Sequence, residues 1–142
     1  MQYDRLPCDD RWKSIADAMM RAGQVEGMIP ADREPLTGGE EMFLARQATH
    51  DGFLNAGIAV FYPPENYQGL WLDILYVSPE FRRRGIARTL VALVRQEAVD
   101  GGHEQFGFGT ILHNKPMLSL AASLGLSGGA VYFDQPLSGA GS

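Results

Sequence analysis

Four arginines lie within seven positions of this chain, with a glycine and a small residue among them. These six residues are Arg82, Arg83, Arg84, Arg88, Gly85 and Ala87. A mostly apolar run at residues 70–77 precedes them and an amphipathic stretch follows, which predicts a strand-to-helix turn. The first amides of a helix lack internal acceptors and carry the positive end of its dipole, and a glycine allows close approach to the backbone. The turn therefore indicates a cradle for a small polyanion, although solvated arginines at an ordinary strand-to-helix junction fit the same pattern.

A single carboxylate, that of Asp73, interrupts the apolar run at residues 70–77. Burying a charge is costly, so a carboxylate at this position needs either a partner or a function. Asp73 is therefore a candidate for proton transfer. The alternative interpretation, of equal weight, is that it caps a turn or pairs with an arginine.

The composition excludes several classes of protein. A chain of 142 residues has room for one domain with one hydrophobic core. Its net charge of −5 argues against nucleic acid as a partner, and no apolar run approaches the roughly 20 residues of a membrane span. Three histidines and one cysteine show no metal-ligand spacing, so no metal is expected. The single cysteine, Cys8, and the absence of an apolar signal segment fit a reducing cytoplasm.

The elements that position these residues are predicted from periodicity and turn residues. A first helix, capped by Asp9 or Asp10, is predicted to end at Gly23, and residues 23–40 are predicted to form an irregular connection or a short broken helix. Later helices are predicted at 84–99 and 116–124. The predicted strands are 41–49 and 53–62, which form a hairpin, and 70–77, 105–112 and 130–135. The fold class is α/β: a mixed, mostly antiparallel sheet of about six strands, with helices on both faces and a frayed tail at 136–142.

Two motifs, one at residues 75–87 and one at residues 114–126, resemble those of the GNAT superfamily of acyl-CoA N-acyltransferases and follow each other in the same order. Residues 82–87, RRRGIA, are similar to its Q/R-x-x-G-x-G/A acetyl-CoA signature, and residues 75–81, LYVSPEF, resemble its L-x-V-x-P-x-x-R lead-in. Residues 114–126, NKPMLSLAASLGL, are similar to the family's N-x-x-A-x-x-x-Y-x-x-x-G-F segment, with Asn114 and Gly125 at matching separation. The resemblance covers residues 41–135, whereas the first 40 residues match only loosely.

The resemblance implies a single GNAT-like domain over residues 1–142 that transfers an acetyl group from acetyl-CoA to a primary amine, by direct attack in a ternary complex. In this family the strand equivalent to residues 75–77 splays from its neighbour and pairs with the pantetheine arm. The turn and the helix start bind the pyrophosphate, and Asn114 would bond the pantetheine or order the acyl end of the cleft. The residues implied to bind acetyl-CoA are Leu75, Tyr76, Val77, Arg82, Arg83, Arg84, Gly85, Ile86, Ala87, Arg88 and Asn114.

The same resemblance assigns catalytic roles. A protonated amine must lose a proton before it attacks, and Asp73 is the best candidate base, since polyamine- and aminoglycoside-like members often carry a carboxylate there. A backbone amide, such as that of Leu75 or Tyr76, could stabilise the developing oxyanion. An acidic surface, Asp73 and the Glu40–Glu41 pair favour a cationic acceptor, either a small molecule or an amine of a protein.

The sequence departs from the family at the frequent general acid. The tyrosine seven residues after the asparagine is Ala121 here, and the aromatic after the glycine is Leu126. The remaining candidates to protonate the departing thiolate are Ser119, Ser123, His113, Tyr132 and water, or the thiolate leaves unprotonated. This departure keeps open a CoA-binding regulatory or partner-binding protein without catalysis, and another acyl donor such as succinyl-CoA is a third alternative. The sequence leaves both a monomer and a homodimer open.

Overall fold

The computed structural model describes residues 1–109, 115–125, 127–128 and 132–137 of the chain. These residues form seven strands, three α-helices and a short 3-10 turn at Pro79–Phe81. In chain order the main elements are β1 (Gln2–Pro7), α1 (Lys13–Val25), β2 (Glu41–Thr49), β3 (Gly52–Tyr62), β4 (Gly69–Val77), α2 (Ile86–Asp100), β5 (Gln105–Gly109), α3 (Lys115–Ser123), β6 (Ser127–Gly128) and β7 (Tyr132–Pro136).

All seven strands join one sheet in the order β1-β2-β3-β4-β5-β7-β6. Every neighbouring pair is antiparallel except β4 and β5, which run parallel and are connected through α2. The predicted mixed, mostly antiparallel α/β fold is thus confirmed. The described residues hold one strand more than the expected six. The sequence pattern predicted neither β1, a half-polar edge strand that pairs with β2, nor the two-residue β6.

Helices cover both faces of the sheet, as expected. Helix α2 buries a stripe of apolar side chains at helical spacing, from Ile86 through Leu90 and Val94 to Ala98. These side chains form one core with Phe61, Phe106, Phe108 and their neighbours. Helix α1 packs Ala16, Met19 and Met20 into a second core on the opposite face. The sheet is therefore buried on both sides, which explains the long apolar runs of its central strands.

The predicted end of the first helix at Gly23 is wrong, because α1 continues to Val25. Gly23 is buried inside the helix, and a Cβ there would lie 2.5 Å from Cδ1 of Ile29 and 3.1 Å from the ring of Tyr76. The glycine permits a close approach between helix and strand and does not act as a stop. The predicted side-chain cap is also absent: Trp12 is the N-cap residue, and Asp9 instead accepts from the amide of Arg11 at 3.1 Å.

A β-bulge in β4 decides which of its side chains meet which helix. Val60 of β3 pairs with Ile74 and Phe61 pairs with Leu72, so Asp73 is the residue that the register passes over. Leu72 packs in the core with α2, whereas Ile74 packs in the core with α1. A bulge places two consecutive residues opposite one, so the alternation of faces is broken at Asp73.

Candidate active site

The parallel ladder between β4 and β5 ends before β4 does. In the described part of the chain its last pair is Leu72 with Phe108, and β4 runs on for five more residues to Val77. A cleft of about 860 Å³ lies beside this end of the strand. Residues of β4, of the following turn, of the start of α2 and of α3 line it, together with Met28 from the connection after α1.

Nine of the eleven residues predicted to bind acetyl-CoA line this one cleft. They are Leu75, Tyr76, Val77, Arg82, Arg83, Gly85, Ile86, Ala87 and Arg88. Arg84 does not: its guanidinium lies over the ring of Phe81, 5.3 Å from the centroid. Asn114 falls outside the described residues. Six lining residues were not assigned to acetyl-CoA in the sequence analysis, namely Met28, Phe81, Met117, Ser119, Leu120 and Ser123.

The turn between β4 and α2 has the backbone shape of an anion cradle. Arg83 and Gly85 both adopt left-handed conformations, with φ of 65° and 76°. Helix α2 has no side-chain cap, and its first hydrogen bond runs from the amide of Thr89 to the carbonyl of Gly85, at 3.0 Å. The amides of Ile86, Ala87 and Arg88 therefore have no acceptor within the helix. They lie at the positive end of the helix dipole and can bind an anion.

The charges that line the cleft match a polyanion. In the described lining the only charged side chains are those of Arg82, Arg83 and Arg88. No atom lies within 4 Å of the place where a Cβ on Gly85 would stand, so the backbone is open to close approach there. These residues fit the diphosphate of CoA, since they combine free amides, positive charge and an uncovered glycine.

Arg82 joins the end of β4 to the turn. Its Nε donates to the carbonyl oxygen of Val77 at 2.9 Å. Arg82 itself has extended backbone angles, with φ of −70° and ψ of 159°, and the left-handed Arg83 follows directly. The guanidinium thus holds the strand end and the cradle together, in agreement with its predicted position at the opening of the turn.

The two serines of α3 that were considered as proton donors, Ser119 and Ser123, differ in their hydrogen bonding and exposure. Ser123 accepts from Nη2 of Arg88 at 2.8 Å and donates to the carbonyl of Leu120 at 2.9 Å, so its proton is already engaged. Ser119 is exposed and lines the cleft. Among the serines considered as proton donors, Ser119 is therefore the better placed. His113 and the side chain of Tyr132 lie outside the described residues.

Ala121 does not face the cleft. It is fully buried in the core shared with α2, on the inner side of α3. The motif at residues 114–126 places Ala121 where the GNAT family often has a tyrosine, but in this chain its side chain packs in the core. A side chain at position 121 therefore points into the core and not into the cleft.

Asp73 lies apart from the lining of the cleft. Its Oδ2 accepts from Nη2 of Arg33, in the connection after α1, and its side chain is only 13% exposed. Burial raises the pKa of Asp73, and the charge and hydrogen bond of Arg33 offset this only in part. The alternative interpretation of this residue, a pairing with an arginine, is thus present in the structure. Its role as a base stays a prediction.

The two glutamates that favoured a cationic acceptor are engaged within the fold. Glu40 is buried and accepts from the amide of Gly38 at 2.9 Å and from the amide and hydroxyl of Thr37 at 3.1 and 2.9 Å. Glu41 forms an ion pair with Arg5 at 2.8 Å. Neither offers a free charge to an acceptor, so the case for a cationic amine now depends on the net charge of the chain and on Asp73.

Comparison with known proteins decides the family. The sequence model described as the Acetyltransferase (GNAT) family matches residues 12–126, which include the strand end, the cradle and α3. The chain belongs to this family. The resemblance seen in the two motifs is thereby confirmed, and with it the assignment as an acyl-CoA-dependent N-acyltransferase. No curated protein matches the sequence.

Solved structures share the GNAT fold with this chain at low sequence identity. An IAA acetyltransferase from Bacillus cereus superposes with a TM-score of 0.76 at 14% identity, over 96% of this chain and 99% of that one. The protein yncA from Salmonella typhimurium, solved with its cofactor acetyl-CoA, gives 0.71 at 15% identity, over 96% and 95%. A GNAT-family acetyltransferase from Staphylococcus aureus gives 0.73 at 14% identity, over 96% and 99%.

Among the described residues, no helix is both long and apolar enough to cross a membrane. In the same part of the chain, no group of three or more histidine, cysteine or acidic side chains is arranged to hold a metal ion.

Proposed function

We propose that this protein acetylates a primary amine with acetyl-CoA as the donor, by direct attack in a ternary complex. The observation that carries the proposal is the cleft: the end of β4, the left-handed turn and the start of α2 line one cavity of about 860 Å³ with a positively charged rim. A cleft of this size, lined by three arginines, suits an anionic ligand. Acetyl-CoA, when bound, supplies the thioester that the amine attacks.

Each part of the cleft has a task in binding. The amides of Ile86, Ala87 and Arg88 would bind the diphosphate, and the side chains of Arg83 and Arg88 would add charge around it. The backbone of β4 beyond Leu72, where pairing with β5 has ended, would form hydrogen bonds with the pantetheine arm in the way that it would with another strand. Apolar side chains on the walls, among them Met117 and Leu120, would exclude water from the arm.

Catalysis needs a base and an oxyanion donor. We propose that a backbone amide near the bulge, that of Leu75 or Tyr76, donates to the carbonyl oxygen on which negative charge develops. Asp73 is the proposed base or acceptor anchor, in a site where burial raises its pKa towards the range a base requires. Ser119, which is exposed in the cleft, is the proposed source of a proton for the departing thiolate, with water as the alternative.

The acceptor is proposed to be a primary amine of a small molecule or of a protein. The net charge of −5 favours acceptors of positive charge through long-range attraction. The arginines of the cleft do not oppose this attraction once the phosphates neutralise them.

The decisive experiment measures release of the CoA thiol with a panel of primary amines, including polyamines, aminoglycosides, amino acids and lysine peptides. Parallel reactions with succinyl-CoA test the choice of donor. Acetyl-CoA should also raise the melting temperature of the protein, because a ligand selective for the native state stabilises it. A protein that neither gains stability from acetyl-CoA nor releases thiol with any amine would refute the proposal. Stabilisation without turnover would favour the non-catalytic CoA-binding alternative.

A further inference from the structure

We infer that Glu26, which lies outside the cleft lining, is a positioning residue for the binding of acetyl-CoA. It holds Arg82 and Tyr76 in place, and through them the end of β4 and the start of the cradle. This inference rests on the proposed function, because it names the residue that shapes the acetyl-CoA site.

Both carboxylate oxygens of Glu26 are engaged by residues of the cleft. Oε1 forms an ion pair with Nη2 of Arg82 at 2.8 Å, and Oε2 accepts a hydrogen bond from the phenol of Tyr76. Tyr76 lies 50 positions further along the chain. Glu26 follows the last residue of α1, so this single side chain connects the helix on one face of the sheet to the strand and turn that form the site.

Arg82 receives its orientation from three sides. Its Nε donates to the carbonyl of Val77 at 2.9 Å, its Nη2 meets Glu26, and its Cζ lies 5.6 Å from the ring centroid of Tyr76. The backbone immediately after Arg82 turns left-handed at Arg83. A guanidinium held at both ends fixes the point at which this unusual conformation begins, and that conformation aims the amides of the cradle.

The charge of Glu26 is the part that matters for this role. Partial burial alone would raise the pKa of Glu26, but hydrogen bonds from Tyr76 and Arg82 outweigh it and leave the pKa below its ordinary value. Glu26 is therefore ionised at neutral pH. The same arrangement raises the pKa of Tyr76 to about 12, through burial and the neighbouring carboxylate, so the phenol stays a donor.

The test exchanges Glu26 for glutamine and compares it with the same exchange at Glu41. Glu41 is a matched control because it also pairs with an arginine, Arg5 at 2.8 Å, and belongs to no part of the cleft. Glu26→Gln should raise both the Kd and the KM for acetyl-CoA roughly three- to tenfold, the range expected when a partly exposed ion pair and a charged hydrogen bond are weakened. The kcat at saturating acetyl-CoA should change less than the KM, because Glu26 itself contacts no reacting atom.

A double-mutant cycle separates positioning from a general loss of stability. If Glu26 acts in part through Arg82, then Glu26→Gln should weaken acetyl-CoA binding less in the Arg82→Gln background than in the wild type, because only the contact with Tyr76 is left to lose. Binding is measured by calorimetry at 25 °C, with the melting temperature of each variant recorded. Additive effects on Kd in the cycle would overturn the inference.

The comparison with Glu41→Gln remains decisive even where an Arg82 variant does not fold. Equal acetyl-CoA affinity in wild type, Glu26→Gln and Glu41→Gln would overturn the inference and leave the proposed function intact. Failure of the wild-type protein to bind acetyl-CoA would overturn both. A selective loss in Glu26→Gln, with a smaller change in kcat than in KM, supports the positioning role.

Discussion

Gly85 offers the sharpest test of the cradle, because the same helix carries a matched glycine at its other end. Gly85 precedes α2 with φ of 76°, and Gly102 follows it with φ of 72°. A Cβ at either position would meet no atom within 4 Å. Replacing either glycine with glutamate therefore imposes the same left-handed strain without a clash. Only the variant at Gly85 would place a carboxylate among the groups proposed to bind phosphate.

The two variants should be alike in stability. A left-handed conformation costs an L-residue roughly 1–2 kcal/mol, so Gly85→Glu and Gly102→Glu should each lower the free energy of unfolding by about that amount. For a chain of this length such a loss corresponds to a fall in melting temperature of about 3–10 °C. Thermal unfolding monitored by circular dichroism measures this cost for both variants and shows whether each remains folded at 25 °C.

The two variants should differ in their affinity for acetyl-CoA. A carboxylate about 6 Å from one phosphate charge costs roughly 0.7 kcal/mol at the dielectric constant of water and roughly 3 kcal/mol at an effective value of about 20. The Kd measured by titration calorimetry should therefore rise about threefold to about a hundredfold in Gly85→Glu, and stay unchanged in Gly102→Glu. Equal affinities in the two variants would refute the placement of the phosphates at the start of α2.

Four further predictions concern three side chains whose surroundings are now known. Asp73→Asn should lower kcat/KM for the amine by a factor on the order of 10², with the affinity for acetyl-CoA unchanged; wild-type kinetics at all pH values would leave Asp73 only the role of partner to Arg33. Burial raises the pKa of Asp73 above its ordinary 3.8, so the folded state binds this proton more tightly than the unfolded state does. The contribution of Asp73 should therefore make the wild-type free energy of unfolding fall as pH rises from about 3.8 through the raised pKa. Urea titrations of wild type and Asp73→Asn over this pH range test the prediction. Partial burial of Glu40 opposes its ionisation, but hydrogen bonds from residues 37–40 hold its pKa below the ordinary 4.5. Glu40→Gln should therefore lower the free energy of unfolding at neutral pH, and this difference from wild type should shrink as pH falls below about 4.5. The same urea titrations measure both effects. Ala121→Tyr should cost about 1–3 kcal/mol through overpacking and give no gain in kcat; a faster enzyme in steady-state kinetics would contradict the buried placement of Ala121.

Local pattern was sufficient for the strands and helices that surround the cleft. The apolar run, the arginine-rich turn and the amphipathic stretch after it predicted β4, the cradle and α2 to within two or three residues. The reason is that a left-handed glycine at a helix start and a buried stripe at helical spacing are properties of neighbouring residues. Strand β1 escaped prediction because half of its six residues are polar, and pairing with β2 is what makes it a strand.

The sequence did not predict which side chains pair or pack with one another in the folded chain. Asp73 reads as a lone carboxylate in an apolar strand, and only the bulge in β4 and the return of Arg33 from the connection after α1 show how its charge is met. Ala121 lies where the family motif often has a catalytic tyrosine, yet in the folded chain it is on the face of α3 that packs in the core.

The sequence by itself determined the family, the fold class and the place of the arginine-rich turn between β4 and α2, because these follow from the spacing of residues that are close together within each motif or element. Only the tertiary structure decided which charges are free to act. It closes Glu40 onto its own loop, pairs Asp73 with Arg33 and brings Glu26 to Arg82 across a wide separation in the chain. Charges interact through space and not along the sequence, so their partners exist only once the chain has folded.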